Sequence, residues 1–104
     1  MIPGGMKGFA MALETARVPT AHGARYLQQL CKHWSHKLDV QLSENEGIVR
    51  FPAAVATMTA SPDSLTVSLE AEDDETLQRI KGVVASHLDR FAFKEAPLPF
   101  EWKA

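Results

Sequence analysis

Three side chains that can bind metal ions lie close together in the sequence: Cys31, His33 and His36. The spacing Cys-x-His-x-x-His resembles a zinc motif, but a structural zinc site needs four converging ligands. At about 100° per helical residue, Cys31 and His33 point about 160° apart. We therefore expect no metal site from this triplet, and no cofactor. His33 and His36 are one turn apart and could hold one ion as a pair, or could simply be solvated.

The positions of these residues depend on a helix predicted over residues 21–38. Thr20 can serve as its N-cap, and Lys37 in its last turn suits the negative end of the helix dipole. Its apolar residues gather on one arc, the spacing of a helix that packs on a core: Gly23, Leu27, Leu30, Trp34 and Leu38. Cys31 lies at the edge of this arc, so we predict that it is a buried structural thiol.

A second helix is predicted to end near Phe91, with Asp73 or Asp74 as its N-cap. Its apolar stripe is Leu77, Ile80, Val84, Leu88 and Phe91. His87 falls inside this stripe, between Val84 and Phe91, instead of opposite it. We therefore expect His87 to be at least half-buried and close to whatever element packs on this helix.

The rest of the chain reads as short strands joined by tight turns. The predicted strands cover residues 10–18, 39–42, 47–51, 55–59 and 65–70. Gly47 is available to supply a positive φ in the hairpin before the third strand, and Pro52 is expected to interrupt the ladder of that strand or to place it at an edge or a bulge. Short hairpin connections favour antiparallel pairing, so we predict an α+β fold: an antiparallel sheet with two helices on one face.

Composition gives one domain and excludes several classes of function. The 104 residues are 45% hydrophobic and 23% charged, as in ordinary globular domains. A net charge of −2 gives no electrostatic reason to expect nucleic acid, and the lone cysteine excludes an internal disulfide. Residues 1–9 are expected to be a flexible lead-in to a domain at 10–104, with neither a signal peptide nor a membrane helix. We therefore expect a cytoplasmic protein.

The last ten residues are rich in proline and aromatic side chains. Pro97 and Pro99 forbid a regular helix, whereas Leu98, Phe100 and Trp102 are too apolar for a disordered tail. We expect this tail to pack on the domain or on a partner.

Two blocks of the sequence carry a family resemblance: ARVPTAHGARYLQQLCKHWSHKL at 16–38 and LQRIKGVVASHLDRFAFKE at 77–95. They resemble the small bacterial family known as domain of unknown function 2218. The resemblance implies a β-α-β(4)-α arrangement similar to TATA-binding-protein-like folds, without DNA binding. Members of the family are often encoded beside, or fused to, siderophore-interacting flavin reductases. The resemblance therefore implies a role in handling ferric siderophores, or binding to such a reductase.

A candidate ligand site follows from the two helices. Tyr26, His33 and Lys37 lie on one flank of the first helix and would line a groove with His87 if the helices pack side by side. Together with the neighbouring cations, they would form a donor-rich pocket suited to carboxylate or catecholate groups. The full candidate set is Tyr26, His33, His36, Lys37, His87 and Arg90. The alternative is a solvated flank beside a hydrogen-bonded core histidine.

Three classes of function follow. The first is a binding or accessory module for an anionic small ligand, a ferric siderophore or a flavin reductase. The second is a small enzyme that uses Cys31 or His87, although the sequence lacks an acid pair, a phosphate loop and a nucleophile elbow. The third is a homodimer formed through the aromatic tail or an open sheet edge.

Overall fold

The computed structural model describes residues 12–104, which form two helices and six strands. The elements in chain order are β1 (Ala12–Pro19), α1 (Gly23–Trp34), β2 (Asp39–Leu42), β3 (Glu46–Phe51), β4 (Ala54–Ser61), β5 (Ser64–Ala71), α2 (Asp74–Phe91) and β6 (Trp102–Lys103). The expected lead-in at 1–9, and the first two residues of the predicted first strand, lie outside the described residues.

The strands form one antiparallel sheet in the order β2-β3-β4-β5-β1-β6. Both helices pack on the same face, α1 over β3 and β4 and α2 over β5 and β1. The alternation of β5 explains this arrangement, because Leu65, Val67 and Leu69 are fully buried while the residues between them face away. The predicted α+β fold and its β-α-β(4)-α order are confirmed, with β6 as an added edge strand. The likeness to TATA-binding-protein-like folds stays a prediction.

The predicted boundaries of α1 were wrong at both ends. The helix begins at Gly23 with His22 as its N-cap, and the hydroxyl of Thr20 accepts the His22 backbone N–H at 3.1 Å instead of capping the first turn. At the other end the helix stops at Trp34, where the Ser35 hydroxyl donates to the Lys32 carbonyl at 2.8 Å. Serine offers the backbone such local alternatives to helix hydrogen bonds. The predicted cap of α2 is confirmed, because the Asp73 side chain accepts the Thr76 N–H at 2.7 Å.

The structure differs from the sequence-based expectation at Pro52 and at Gly47. Pro52 does not interrupt one strand; with Ala53 it forms the turn between β3 and β4, and Ala53 has a φ of 70°. Proline followed by a positive φ is the combination found in type II turns. Gly47 has no positive φ. A residue without a side chain is required at position 47 because Cys31 and Leu27 pack directly against it. A Cβ there would lie 2.5 Å from the Cys31 Sγ.

The C-terminal tail packs on the domain, as predicted. Leu98 is buried, and its N–H donates to the Asp89 carboxylate at 2.9 Å. Phe100 and Trp102 stack with ring centroids 5.6 Å apart, and Trp102 pairs with Ala16 of β1. The tail thereby extends the sheet at the β1 edge.

Neither α1 nor α2 has both the length and the hydrophobicity that a membrane-crossing helix would need.

Candidate functional site

The two helices bring His33 and His87 together on the surface of the domain. Their ring centroids are 5.6 Å apart, and the His87 ring lies 5.1 Å from that of Trp34. Phe91, one turn further along α2, meets the His33 ring edge-on at 6.0 Å. We call the surface formed by His33 and Trp34 of α1 with His87 and Phe91 of α2 the helix groove. It combines two imidazoles with an aromatic wall.

The two imidazoles differ in their surroundings. His33 is exposed, whereas His87 is half-buried, as its place in the α2 stripe predicts. The Nδ1 of His87 lies 2.8 Å from the Val83 carbonyl oxygen in the preceding turn of α2. Trp34 is nearly fully buried beneath the groove and packs edge-on against Phe51 of β3 at 5.1 Å. The floor of the groove is therefore fixed by the core, and its outer side is open to solvent.

The structure places three of the other predicted site residues apart from this pair. His36 and Lys37 lie in the exposed turn after α1, because the helix ends at Trp34 and no longer carries them along its flank. The sequence-based position of Lys37 on the flank was therefore wrong. Arg90 is exposed in the last turn of α2. Lys37 and Arg90 therefore carry their positive charges on exposed side chains outside the helix groove.

Tyr26, the sixth predicted residue, is buried and committed to a different partner. Its hydroxyl donates a short hydrogen bond to the Glu95 carboxylate, which also accepts the Thr20 hydroxyl at 3.0 Å. Burial, followed by the nearby Glu95 carboxylate, raises the pKa of Tyr26. The Tyr26 hydrogen bond is the main cause that lowers the pKa of Glu95. This cluster connects the start of α1 to the segment after α2. The single hydroxyl hydrogen of Tyr26 is already donated to Glu95, so it is not available to a ligand.

Glu95 is the residue that sequence reasoning missed. It lies 69 positions from Tyr26, so neither helical periodicity nor local spacing connects the two. A buried tyrosine needs a hydrogen-bond partner, which gives a reason to look for one but not its position. Trp34 and Phe91 were assigned to the apolar arcs and not to a site, although they form the aromatic wall of the groove.

Cys31 has the role predicted for it. It is fully buried, and burial raises the pKa of its thiol to about 11. A thiol with that pKa is protonated at neutral pH and is a poor nucleophile. Within residues 12–104, no cluster of three or more histidine, cysteine, aspartate or glutamate side chains converges as a metal site would require.

A cavity of about 510 Å³ lies away from the helix groove, beside β1 and the tail. Arg17, Glu101 and Lys103 contribute its charged walls, and Leu13 its apolar wall. The Arg17 guanidinium is paired with Asp63 at 3.6 Å. Its lining mixes opposite charges and includes no histidine. The cavity is therefore a weaker candidate for a ligand site than the groove with its two imidazoles.

Comparison with known proteins gives a family and a fold. The sequence model for a family described as "Uncharacterized protein conserved in bacteria (DUF2218)" matches residues 15–103. The NMR structure of PA4090 from Pseudomonas aeruginosa is 35% identical and has a TM-score of 0.76, over 88% of this chain and 94% of that one. No curated protein matches the chain. The resemblance predicted from the two helical blocks is thereby confirmed.

Proposed function

The chain belongs to the DUF2218 family of conserved bacterial proteins, and from the geometry of its helix groove we propose that it is a binding module without catalytic activity, which holds an anionic small molecule. The observation that carries the proposal is the meeting of His33 and His87, two imidazoles from different helices with centroids 5.6 Å apart. Imidazoles beside aromatic rings can hydrogen-bond the polar groups of a ligand and stack on its planar part.

Two cations on the segments that follow the groove residues support an anionic ligand. Lys37 lies in the turn after α1, and Arg90 lies in the last turn of α2, both exposed. Such cations attract carboxylate or catecholate groups and form charge-assisted hydrogen bonds with them. A ferric siderophore combines these groups, which agrees with the role that the family resemblance implies. A flavin reductase as protein partner is proposed on that resemblance alone, and a cytoplasmic location is proposed on the composition of the sequence, with its single cysteine.

The alternative function as an enzyme has less support. The Cys31 thiol is buried and its pKa is raised to about 11, so it is not an activated nucleophile. The Nδ1 of His87 faces a backbone carbonyl instead of a carboxylate that would orient a general base. The contacts around the groove therefore support binding better than proton transfer.

A thermal-shift titration tests the proposed function. The ligands are 2,3-dihydroxybenzoate, which carries a catechol and a carboxylate without any metal, and a set of ferric siderophores. A ligand at about 100 times its dissociation constant should add about 2.7 kcal/mol to the free energy of unfolding. The increment should disappear in the variant His33→Ala/His87→Ala, each protein being compared with its own ligand-free baseline.

Arg50→Ala provides the matched control. Arg50 lies on β3, on the face of the sheet away from the helices, where it pairs with Asp39 at 3.5 Å across exposed side chains. Its removal should leave the ligand increment unchanged, since exposed ion pairs contribute little. Equal increments in the wild type and the double histidine variant would show that the ligand binds elsewhere.

A further inference from the structure

The hydrogen bond of His87 fixes which of its nitrogens is free. A backbone carbonyl can only accept a hydrogen bond, so the Nδ1 that lies 2.8 Å from the Val83 oxygen carries the proton. In the neutral ring the lone pair is then on Nε2. Histidines that bind metal ions usually donate their other ring N–H to a carbonyl or carboxylate in this way. His87 therefore has the hydrogen-bonding pattern of a metal ligand.

The spacing of the two rings fits a shared ion. A metal–nitrogen bond of about 2.0–2.1 Å puts the ion roughly 3 Å from the centre of each imidazole, so two rings on one ion have centroids about 4.5–6.5 Å apart. The centroids of His33 and His87 are 5.6 Å apart, with the rings tilted by 42°. His33 is exposed, and a change of its rotamer costs little compared with a metal–nitrogen bond.

We propose that His33 and His87 together bind one first-row divalent transition-metal ion. Imidazole nitrogen suits Zn²⁺, Cu²⁺, Ni²⁺ and Fe²⁺ better than it suits Mg²⁺ or Ca²⁺. Among the described residues no third metal-binding side chain joins the pair, so the ion keeps open coordination positions. The metal site deepens the proposed function and rests on it in one respect. The anionic ligand of that function supplies oxygen donors, which fill the open coordination positions of the ion. The ligand is then bound as a metal chelate.

Trp34 supplies the readout, because its ring centroid is 5.1 Å from that of His87. The sequence has two tryptophans, and Trp102 lies in β6, stacked on Phe100. Trp102→Phe therefore leaves Trp34 as the single tryptophan, which can be excited apart from Tyr26 at long wavelength. Titration of this variant with Cu²⁺ alone should quench the Trp34 fluorescence and saturate at one ion per chain, and Zn²⁺ should compete.

Single histidine variants in the same background identify the ligands. His33→Ala and His87→Ala should each weaken Cu²⁺ binding by about tenfold or more, whereas His22→Ala should leave it unchanged. His36→Ala distinguishes the His33 and His87 site from a site formed by His33 and His36. If His33 and His87 bind the ion, His36→Ala should have little effect on Cu²⁺ affinity. If His33 and His36 bind it, Cu²⁺ binding should be lost in His36→Ala and retained in His87→Ala. That second pattern, or equal affinity in all variants, would overturn the inference.

Metal binding and the proposed function fail separately. Retained binding of metal-free 2,3-dihydroxybenzoate, with no effect of His87→Ala on Cu²⁺ affinity, would overturn the metal site alone. Loss of dihydroxybenzoate binding, with a histidine-dependent Cu²⁺ site intact, would overturn the metal-independent anion site. Circular dichroism of each variant verifies that the fold survives.

Discussion

The contact between Cys31 and Gly47 explains why a cysteine and a glycine occupy these positions. Cys31 is on the underside of α1, fully buried, and Gly47 lies below it on β3. A Cβ at position 47 would lie 2.5 Å from the Cys31 Sγ and 2.9 Å from the Leu27 Cδ1. Both distances are far shorter than van der Waals contact, so α1 approaches the sheet this closely only because residue 47 has no side chain.

Gly47→Ala should therefore destabilise the protein by about 1–3 kcal/mol, the range for overpacked cores. Cys31→Ala alone should cost about 1 kcal/mol, because it removes a buried sulfur. The double variant should be more stable than the sum of the two losses predicts, since the smaller side chain at 31 makes room for the new methyl group. Urea denaturation of the four proteins measures this coupling, and strict additivity would show that the two residues do not compete for space.

The hydrogen bond between Tyr26 and Glu95 should make stability depend on pH. The pKa of Glu95 is lowered in the folded protein, so its contribution is present above the unfolded value of about 4.3 and is lost as the pH falls through the folded pKa. Tyr26→Phe should cost about 1 kcal/mol at pH 7. This difference from the wild type should shrink as the pH falls below about 4.

Denaturation curves at a series of pH values test this expectation. Glu101→Gln is the control, since it neutralises another exposed carboxylate of the tail. At each pH, the effect of Tyr26→Phe in the Glu101→Gln background should equal its effect in the wild-type background. A Tyr26→Phe effect that is the same at pH 3 and pH 7 would mean that the carboxylate is not the partner whose charge matters.

At the scale of elements, the sequence predicts that a helix or strand exists, and which of the two it is, better than it predicts the residues at which the element begins and ends. The stripe of α2 and the Asp73 cap are local features, so both were predicted. The ends of α1 depend on a competition between serine or threonine side chains and the backbone, which residue spacing does not express. The turn at Pro52 was misread because the sequence offers no glycine there, and the positive φ falls on Ala53 instead.

Ala53→Gly should stabilise the protein by about 0.5–1 kcal/mol. A side chain at a φ of 70° is strained, and glycine adopts this conformation without that cost. The gain is reduced by the greater freedom of glycine in the unfolded chain. Ala85→Gly, in the interior of α2, is the matched control and should lose about 1 kcal/mol. Thermal unfolding measures both changes, and a loss at both positions would show that the turn is not strained.

At the scale of the whole molecule, the sequence predicts the groove only in part. His87 is half-buried against Trp34 as expected, because its position within an apolar stripe makes it face a packed neighbour. Its meeting with His33 follows from two helices on one face of the sheet, and the structure brings the two rings together. The Tyr26 and Glu95 pair could not be predicted, because it depends on where the chain goes after α2.

The face of the sheet opposite the helices is the other large surface, and we call it the open face. Its residues lie in register across the strands. They are Leu13, Thr15 and Arg17 of β1, Thr66, Ser68 and Glu70 of β5, Val55, Thr57 and Thr59 of β4, Glu46, Ile48 and Arg50 of β3, Asp39 and Gln41 of β2, and Lys103 of β6. None is fully buried within one chain.

We propose that the open face associates with a second copy, because its two sides differ in charge. Arg17 and Lys103 lie on the β1 and β6 side, whereas Asp39, Glu46 and Arg50 lie on the β2 and β3 side, where Arg50 pairs with Asp39 and leaves one net negative charge. A two-fold axis parallel to the strands would lay the basic side of one sheet over the acidic side of the other, twice. The small hydroxyl and aliphatic residues between them permit close approach. The homodimer expected from the sequence, through the aromatic tail or an open sheet edge, stays a prediction; the open face is a third candidate surface for it, and the tail packs on its own domain.

Sedimentation equilibrium should therefore detect a dimer as the protein concentration rises, and the dimer should weaken with added salt because its charged margins are screened. Thr57→Lys places an uncompensated charge at the middle of the open face and should give a monomer. Gln78→Lys adds the same charge at an exposed position of α2 and should leave the association unchanged, which separates a local effect from one of net charge. A wild type that stays monomeric at the highest concentrations, or a dimer that Thr57→Lys does not affect, would show that the open face does not associate with itself.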